Sequence, residues 1–199
     1  MTSLILHHYP QSPVAHKVRM ALGIAGASWQ LLEIPRLPPK PLLVPLTAGY
    51  RRTPVLQIGA DVYCDSQSIA HAIDQTDAPR RLFPDQTYGM AMMISNWAKT
   101  TLFDLSVRLV LTHALGKVPE EFIRDRGSLY FEPNWTEASL RAALPSVMRR
   151  LAIFAGSCVD DGMAVRRCWQ IIRLFVRLRL RLTGLMITGY KIFGRQGRA

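Results

Sequence analysis

The order of apolar runs in the first 74 residues restricts the fold more than any other feature of the chain. Ser3–His8 ("SLILHH") is predicted to be a strand, and Ser12 followed by Pro13 begins a helix that Gly26 ends. Trp29–Ile34 ("WQLLEI") is predicted to be a second strand. A strand, a helix and a strand in this order favour a parallel pair joined by a right-handed crossover.

A hairpin and a second helix follow a loop that cannot be regular. Residues 35–41 contain four prolines, which fix φ and remove hydrogen-bond donors. The runs "VLQI" and "VYC" then flank Gly59-Ala60-Asp61 and predict an antiparallel hairpin. Ser66–Asp74 is predicted to be a helix capped by Asp65 or Ser66. An antiparallel hairpin added to a parallel pair predicts an α/β unit with a mixed sheet.

The remainder of the chain is predicted to be helical. Residues 76–84 are polar and proline-bearing, which suits a linker. Residues 87–114 are strongly apolar and predict one long helix or two abutting ones, and 136–151 predict an amphipathic helix. The predicted organisation is therefore an α/β domain at 1–78, a linker at 79–86 and a helical domain at 87–199.

Most of the net charge of +11 belongs to the last quarter of the chain. Residues 151–199 hold nine Lys and Arg and two Asp and Glu, so this atypical tail has a net charge of +7 and leaves +4 for 1–150. In its "VRLRLRL" run, apolar residues and arginines alternate with period two, as in a strand. The arginines of the tail are also spaced to lie on one face of a helix, so the two patterns conflict. Three interpretations remain: a shifted reading frame, a basic amphipathic segment that contacts anionic membranes, or a nucleic-acid arm with few interleaved aromatics.

The cysteines and histidines favour a cytoplasmic protein without a metal. Three cysteines without C-x-x-C spacing, and no apolar leader, indicate a reducing compartment rather than a disulfide scaffold. No uncharged apolar run reaches the roughly 18 residues needed to span a bilayer. His7 and His8 are adjacent on a strand and point to opposite faces, so they do not form a joint metal site.

Three segments resemble the glutathione S-transferase family: "YPQSPVAHKVRMAL", "RRTPVLQIG" and "YCDSQSIAHAI". The resemblance covers about residues 3–85 well, and 86–150 only in general helical character. It implies a thioredoxin-like, glutathione-binding domain at 1–78 followed by an all-α domain. After about residue 150 the chain departs from the family, because the expected capped helix with an aspartate three residues later is absent from the sequence.

The resemblance also implies which residue activates the thiol of glutathione. Ser12 lies seven residues before Arg19, where the family places its active serine or cysteine. Tyr9 is the alternative, because other family members use a tyrosine at the end of the first strand. An N-cap role would equally explain a serine before Pro13.

Two further motifs are implied to bind glutathione. Thr53 and Pro54 match the family's Thr-Pro, where a cis-proline exposes the preceding backbone to the tripeptide as an added strand. Asp65 and Ser66 match an acid-serine pair that holds the γ-glutamyl end at a helix N-terminus. The glycine carboxylate has three candidate partners in Lys40, Arg51 and Arg52.

The function implied is that of a glutathione transferase, with glutathione as co-substrate, no metal, and a small electrophile as the second substrate. Family members are usually homodimers, so a homodimer is expected, with no nucleic-acid partner. The alternative is a non-catalytic, transferase-like binding module, which the atypical tail makes credible.

Overall fold

The computed structural model describes residues 3–84 and 86–160, so the predicted tail lies outside the described residues beyond Asp160. The α/β region contains β1 (Leu4–His8), α1 (Pro13–Ala25), β2 (Gln30–Glu33), α2 (Leu43–Leu46), β3 (Val55–Ile58), β4 (Asp61–Cys64) and α3 (Ser66–Asp74). The helical region contains α4 (Tyr88–Trp97), a π-helical turn (Ala98–Leu102), α5 (Phe103–Ala114), α6 (Glu120–Tyr130) and α7 (Glu137–Asp160).

The four strands form one mixed sheet in the order β2-β1-β3-β4. β1 pairs with β2 in parallel, and β3 is antiparallel to both β1 and β4. The crossover through α1 and the hairpin around Gly59 are therefore present as the sequence predicts. A mixed-sheet α/β region followed by helices confirms the predicted fold class.

Helix α1 begins and ends where the sequence predicts, for local reasons. The Ser12 hydroxyl oxygen accepts a hydrogen bond from the Ala15 amide, and Pro13 is the first helical residue. Gly26 terminates the helix with φ of 70°, a left-handed conformation that favours glycine. The buried face of α1 and one face of α3 pack on the sheet and form the main core: Leu4, Leu6, Val18, Leu22, Ala25, Leu56, Ile69 and Ile73.

The helical region has its own apolar core. α4, the π-helical turn and α5 follow one another without a break, which agrees with the prediction of one long helix or two abutting ones. α5 packs against α6 and α7. The buried residues of this second core are Val107, Leu111, Ala114, Leu115 and Ile123. Within the described residues, no helix is both long and apolar enough to cross a membrane.

Three elements differ from the sequence prediction, and one of them is α6, which lies between the two predicted helical stretches and was not predicted individually. Helix α2 follows the proline-rich loop directly and was not predicted, since four residues are too few to show a helical period. Helix α7 continues past the predicted end at Leu151 to Asp160, with Pro145 inside it. Its start is fixed by Thr136 and Ser139, whose hydroxyl oxygens each accept a hydrogen bond from the other's amide at 3.0 Å.

Candidate functional site

Strand register places the predicted site residues at one end of the sheet. Val55, the first residue of β3, pairs with His7 of β1 and with Cys64 of β4. The residues after β1, before β3 and after β4 therefore lie side by side. This end of the sheet carries Tyr9, Ser12, Thr53, Pro54, Asp65 and Ser66.

Some of these residues line a narrow cleft between the sheet and α6. One side, here called the sheet wall, consists of the end of β1, the start of α1 and the segments that precede α2 and β3. The other side, the α6 wall, consists of Arg126, Leu129 and Tyr130. The sheet wall residues are Tyr9, Ser12, Pro13, Val14, Lys40, Arg51, Arg52 and Thr53.

Ser12 is buried in this cleft, with 3% of its surface exposed. Its hydroxyl oxygen accepts the hydrogen bond from Ala15 at 3.2 Å, so the cap uses one lone pair. A hydroxyl has one hydrogen to donate and two lone pairs to accept with. The hydroxyl hydrogen of Ser12 is therefore not consumed by the cap, and the same group is able to cap α1 and donate into the cleft.

Tyr9 shares the cleft but is surrounded by cations. Its hydroxyl oxygen accepts a hydrogen bond from Nη2 of Arg126 at 3.3 Å. The charged groups of Arg36, Lys40 and Arg126 each lie 5.9 Å from the centre of its ring. The Tyr9 backbone carbonyl also accepts a hydrogen bond from the Ser12 amide at 3.1 Å. The two candidates for thiol activation are therefore neighbours, and the Tyr9 hydroxyl is the one that contacts α6.

The Thr53–Pro54 peptide bond is cis, as the family resemblance implies. Thr53 lines the cleft, and Pro54 is fully buried behind it. A second cis bond joins Pro38 and Pro39 in the irregular loop.

Asp65 caps α3 and is held by two donors. One carboxylate oxygen accepts from the Gln67 amide at 2.9 Å, and the other accepts from the Lys99 ammonium at 2.5 Å. Burial alone would raise the pKa of Asp65, but the hydrogen bonds from Lys99 and Gln67 and the charges of Lys99 and Lys17 outweigh it and lower that pKa. Asp65 is therefore held as a carboxylate at neutral pH.

Ser66 is buried at the first position of α3, where its hydroxyl oxygen accepts from the Lys17 ammonium at 3.3 Å. Lys17 also donates to Ser95 of α4 at 2.7 Å. Burial lowers the pKa of Lys17. The structure therefore surrounds the acid-serine pair with two ammonium groups, Lys17 and Lys99, that sequence reasoning did not single out.

Five cations, here called the basic cluster, surround Tyr9 and the α6 wall: Arg36, Lys40, Arg51, Arg52 and Arg126. Asp125 on α6 is ion-paired with Arg51 at 2.6 Å and with Arg126 at 2.8 Å. The Arg52 guanidinium donates to the Leu129 carbonyl at 3.1 Å, so this cation also links the sheet wall to α6. Sequence reasoning named Lys40, Arg51 and Arg52 but missed Arg36 and Arg126, because no motif shows that α6 packs over Tyr9.

Lys40 is the most perturbed member of the basic cluster. Only 5% of its surface is exposed, and its ammonium donates to the Arg51 carbonyl at 3.0 Å. Burial and the neighbouring Arg126 charge lower the pKa of Lys40 to about 8. At an effective dielectric constant of about 20, two like charges about 10 Å apart repel by roughly 1.7 kcal/mol. The cluster therefore favours an added negative charge.

The adjacent histidines of β1 are both buried. Nδ1 of His8 lies 3.1 Å from the Arg19 guanidinium, and burial lowers the pKa of both His7 and His8. Within the part of the chain that the structure describes, no three His, Cys, Asp or Glu side chains are grouped so that they could hold a metal ion.

Comparison with known proteins identifies the α/β region. Residues 6–81 match the family model of the glutathione S-transferase N-terminal domain. Glutathione S-transferase U3 of Arabidopsis thaliana is 36% identical over 89 residues, which are 44% of this chain and 39% of that protein. The chain thus matches about two-fifths of the length of this curated relative.

Solved structures extend the likeness into the helical region. A glutathione S-transferase-like protein from Pseudomonas syringae is 35% identical, with a TM-score of 0.52 over 79% of this chain and 50% of the other. The tau class glutathione S-transferase of mango, Mangifera indica, is 17% identical and has a TM-score of 0.59 over 92% of this chain and 79% of the other. Residues 6–81 therefore match the N-terminal domain of the glutathione S-transferase family, and the fold is similar to that of the mango protein beyond this domain.

Proposed function

We propose that the chain binds glutathione at the end of the sheet and activates its thiol for attack on an electrophile. The observation that carries the proposal is the meeting of Ser12, Tyr9 and Thr53 in one cleft, with Asp65 and Ser66 at the same end of the sheet. This arrangement occurs in a chain whose residues 6–81 match the glutathione S-transferase N-terminal domain.

Glutathione is proposed to bind as an added strand along Thr53. Its backbone pairs with the Thr53 backbone, as extended peptides do with an accessible strand. The γ-glutamyl end meets Ser66, where Lys17 and the start of α3 favour a carboxylate and Asp65 favours the ammonium.

Lys40 is the proposed partner of the glycine carboxylate. It lines the cleft and is buried without a carboxylate partner among the described residues. Arg51 is already paired with Asp125, and Arg52 is exposed at the rim. A buried ammonium with a lowered pKa gains most from a bound anion, because the anion offsets the charge that burial penalises.

Ser12 is the proposed catalytic residue. A free thiol has a pKa near about 8.5, and lowering it by about two units requires roughly 2.7 kcal/mol of preferential thiolate stabilisation. A hydrogen bond to a charged acceptor supplies about 1.5–3 kcal/mol, and a helix N-terminus adds about 0.3–1 kcal/mol. Together, the Ser12 hydroxyl and the start of α1 therefore supply enough stabilisation to lower the thiol pKa by about two units. The thiol proton passes to solvent, the sulfur forms a bond to the electrophilic carbon, and the leaving group departs with its electron pair.

The proposal is tested by measuring binding and turnover separately on the full chain. Retention on immobilised glutathione, eluted by free glutathione, is the expected binding result. Conjugation of a chromogenic aryl halide above the rate in buffer is the expected catalytic result. Binding without turnover across several classes of electrophile would assign the chain to non-catalytic binding modules instead, and no retention would refute the proposal.

A further inference from the structure

The acid-serine pair at the start of α3 is surrounded by more positive than negative charge. Lys99, in the π-helical turn, is ion-paired with Asp65 at 2.5 Å. Lys17 donates to the hydroxyl oxygens of Ser66 and Ser95. Within the part of the chain that the structure describes, Asp65 is the only carboxylate that is ion-paired with either ammonium. Two positive charges thus face one negative charge, which leaves one positive charge without a counter-ion.

The three charged groups lie close enough to act on one another. Burial lowers the pKa of Lys17, the charge of Asp65 raises it, and the charge of Lys99 lowers it again. The side chains of Asp65 and Lys99 are 33% and 47% exposed, so a ligand can reach this pair from solvent. A ligand that binds at the acid-serine pair therefore meets the charge of Lys99 as well as that of Asp65.

The γ-glutamyl end of glutathione brings one carboxylate and one ammonium group to this place. The carboxylate is attracted by both lysines and by the start of α3. The ammonium group has to share the Asp65 carboxylate with Lys99, whose charge repels it. The oxygens of Asp65 already accept from the Gln67 amide and from the Lys99 ammonium. The amino group of glutathione therefore gains little from Asp65.

We propose that Lys99 determines the specificity of this subsite by competing with the amino group of glutathione for Asp65, so that the chain also accepts thiol peptides in which this amino group is absent. The inference rests on the proposed function and names the class of thiol co-substrate, a cysteinylglycine acylated by a dicarboxylic acid. Lys17 and Ser66 hold the terminal carboxylate that such a peptide shares with glutathione. Lys99 attracts this carboxylate and repels only the ammonium group.

A matched pair of ligands tests the inference on the full chain. S-methylglutathione and S-methyl-N-glutarylcysteinylglycine differ only in the amino group, and neither has a thiol that ionises. Both dissociation constants are measured by isothermal titration calorimetry at about pH 7, where the amino group is protonated. We expect the ligand without the amino group to bind more tightly, or within about threefold of the other, because Lys99 already offsets the charge of Asp65. If S-methylglutathione binds more tightly by more than about threefold, the inference is overturned.

Variants assign the effect to Lys99. In Lys99→Gln the ratio of the two dissociation constants is expected to shift about two- to fivefold in favour of S-methylglutathione, since Asp65 no longer has its ion pair. Lys99→Arg keeps the positive charge and should keep the wild-type ratio. The matched control is Lys117→Gln, which removes an exposed lysine beyond the opposite end of α5 and should change neither constant. An unchanged ratio in Lys99→Gln would refute the competition.

The second lysine provides a contrasting variant. Lys17→Gln is expected to weaken the binding of both ligands by a similar factor, because both have the carboxylate that faces Lys17 and Ser66. The ratio of the two dissociation constants should therefore stay close to that of the wild-type protein. If Lys17→Gln shifts the ratio as much as Lys99→Gln does, the selectivity follows from the total charge, and the specific role of Lys99 is rejected.

Failure of the proposed function gives a different result from failure of this inference. If the wild-type protein binds neither ligand, glutathione binding itself is refuted, and the inference is refuted with it. If both ligands bind and Lys99→Gln leaves their ratio unchanged, glutathione binding stands and only the role of Lys99 is rejected.

Discussion

Each wall of the cleft is backed by its own apolar core, but charged side chains join the two walls to each other. The sheet wall stands on buried apolar residues of β1, α1 and β3, whereas the α6 wall is joined to it by charged side chains. Arg51 reaches Asp125 across the cleft, and Arg126 reaches Tyr9 and the Arg36 carbonyl. The comparison teaches that Ser12, the group proposed to act on sulfur, rests on a packed core, whereas the contacts between the two walls are electrostatic.

The largest expected effect comes from the core behind the sheet wall. Leu6 is fully buried in β1, so Leu6→Ala should lower the free energy of unfolding by about 2–5 kcal/mol through lost burial and the cavity left behind. Urea unfolding measures the loss. Added salt should not restore it, and a loss that salt reverses would show that charge rather than packing supports this wall.

The complementary change removes the carboxylate that joins the walls. Asp125→Asn leaves Arg51 and Arg126 without their shared anion, and the Asp125 side chain is only 10% exposed. We expect a destabilisation of about 1.5–3 kcal/mol, since hydrogen bonds to charged groups are lost. Moderate salt should recover part of it by screening the basic cluster. If salt has the same effect on Asp125→Asn and on Leu6→Ala, the contrast between the walls fails.

A substitution at Gly127 of α6 tests how tightly this helix packs against Trp135. A Cβ added at Gly127 would lie 2.0 Å from Cζ2 of Trp135, so Gly127→Ala should cost about 1–3 kcal/mol through overpacking. Gly23 in α1 is the matched control, because nothing lies within 4 Å of its added Cβ. Gly23→Ala should stabilise the protein by up to about 1 kcal/mol. Urea unfolding midpoints measure the change in stability of both variants. If Gly127→Ala leaves the stability unchanged, Trp135 is free to move aside.

The smallest effect is a pH dependence set by Lys40. Its pKa is lowered to about 8, so Lys40 is charged below that pH and loses its proton as the pH rises through it. Affinity for S-methylglutathione, which has no thiol to titrate, should therefore fall above about pH 8. Lys40→Arg should show a clearly smaller fall, because arginine stays charged and only the ammonium group of the ligand still titrates. If the affinity of the wild-type protein for S-methylglutathione does not change between about pH 7 and about pH 9, the role of Lys40 is contradicted.

Sequence reasoning predicted the elements whose ends are fixed locally. The Ser12 cap, Gly26 in the left-handed region and Gly59 in the hairpin all act within a few residues of chain. The position of Arg126 was not predictable in this way. It touches Tyr9 across 117 residues of chain, and only the packing of α6 brings the two together.

The remaining differences between the sequence prediction and the structure have similar causes. Helix α2 is too short to show a period. The prediction ended α7 at Leu151 because the chain departs from the family there, whereas α7 continues to Asp160. Lys17 and Lys99 were missed at Ser66 and Asp65 because they approach from α1 and from the π-helical turn. Local rules thus predict where elements begin and end, while the cations of the site depend on how elements pack.

The central claim is that the Ser12 hydroxyl ionises the thiol of bound glutathione, and ultraviolet absorbance of the thiolate across pH tests it most directly. For the wild-type chain the account predicts a thiol pKa about two units below its free value. In Ser12→Ala the thiol pKa should rise most of the way back to its free value, and conjugating activity should fall by up to about 100-fold. Tyr9→Phe should change neither the thiol pKa nor the activity. Thr136→Ala, which removes the cap of α7 outside the cleft, controls for a lost helix cap. A thiol pKa that stays low in Ser12→Ala and rises in Tyr9→Phe would contradict the account.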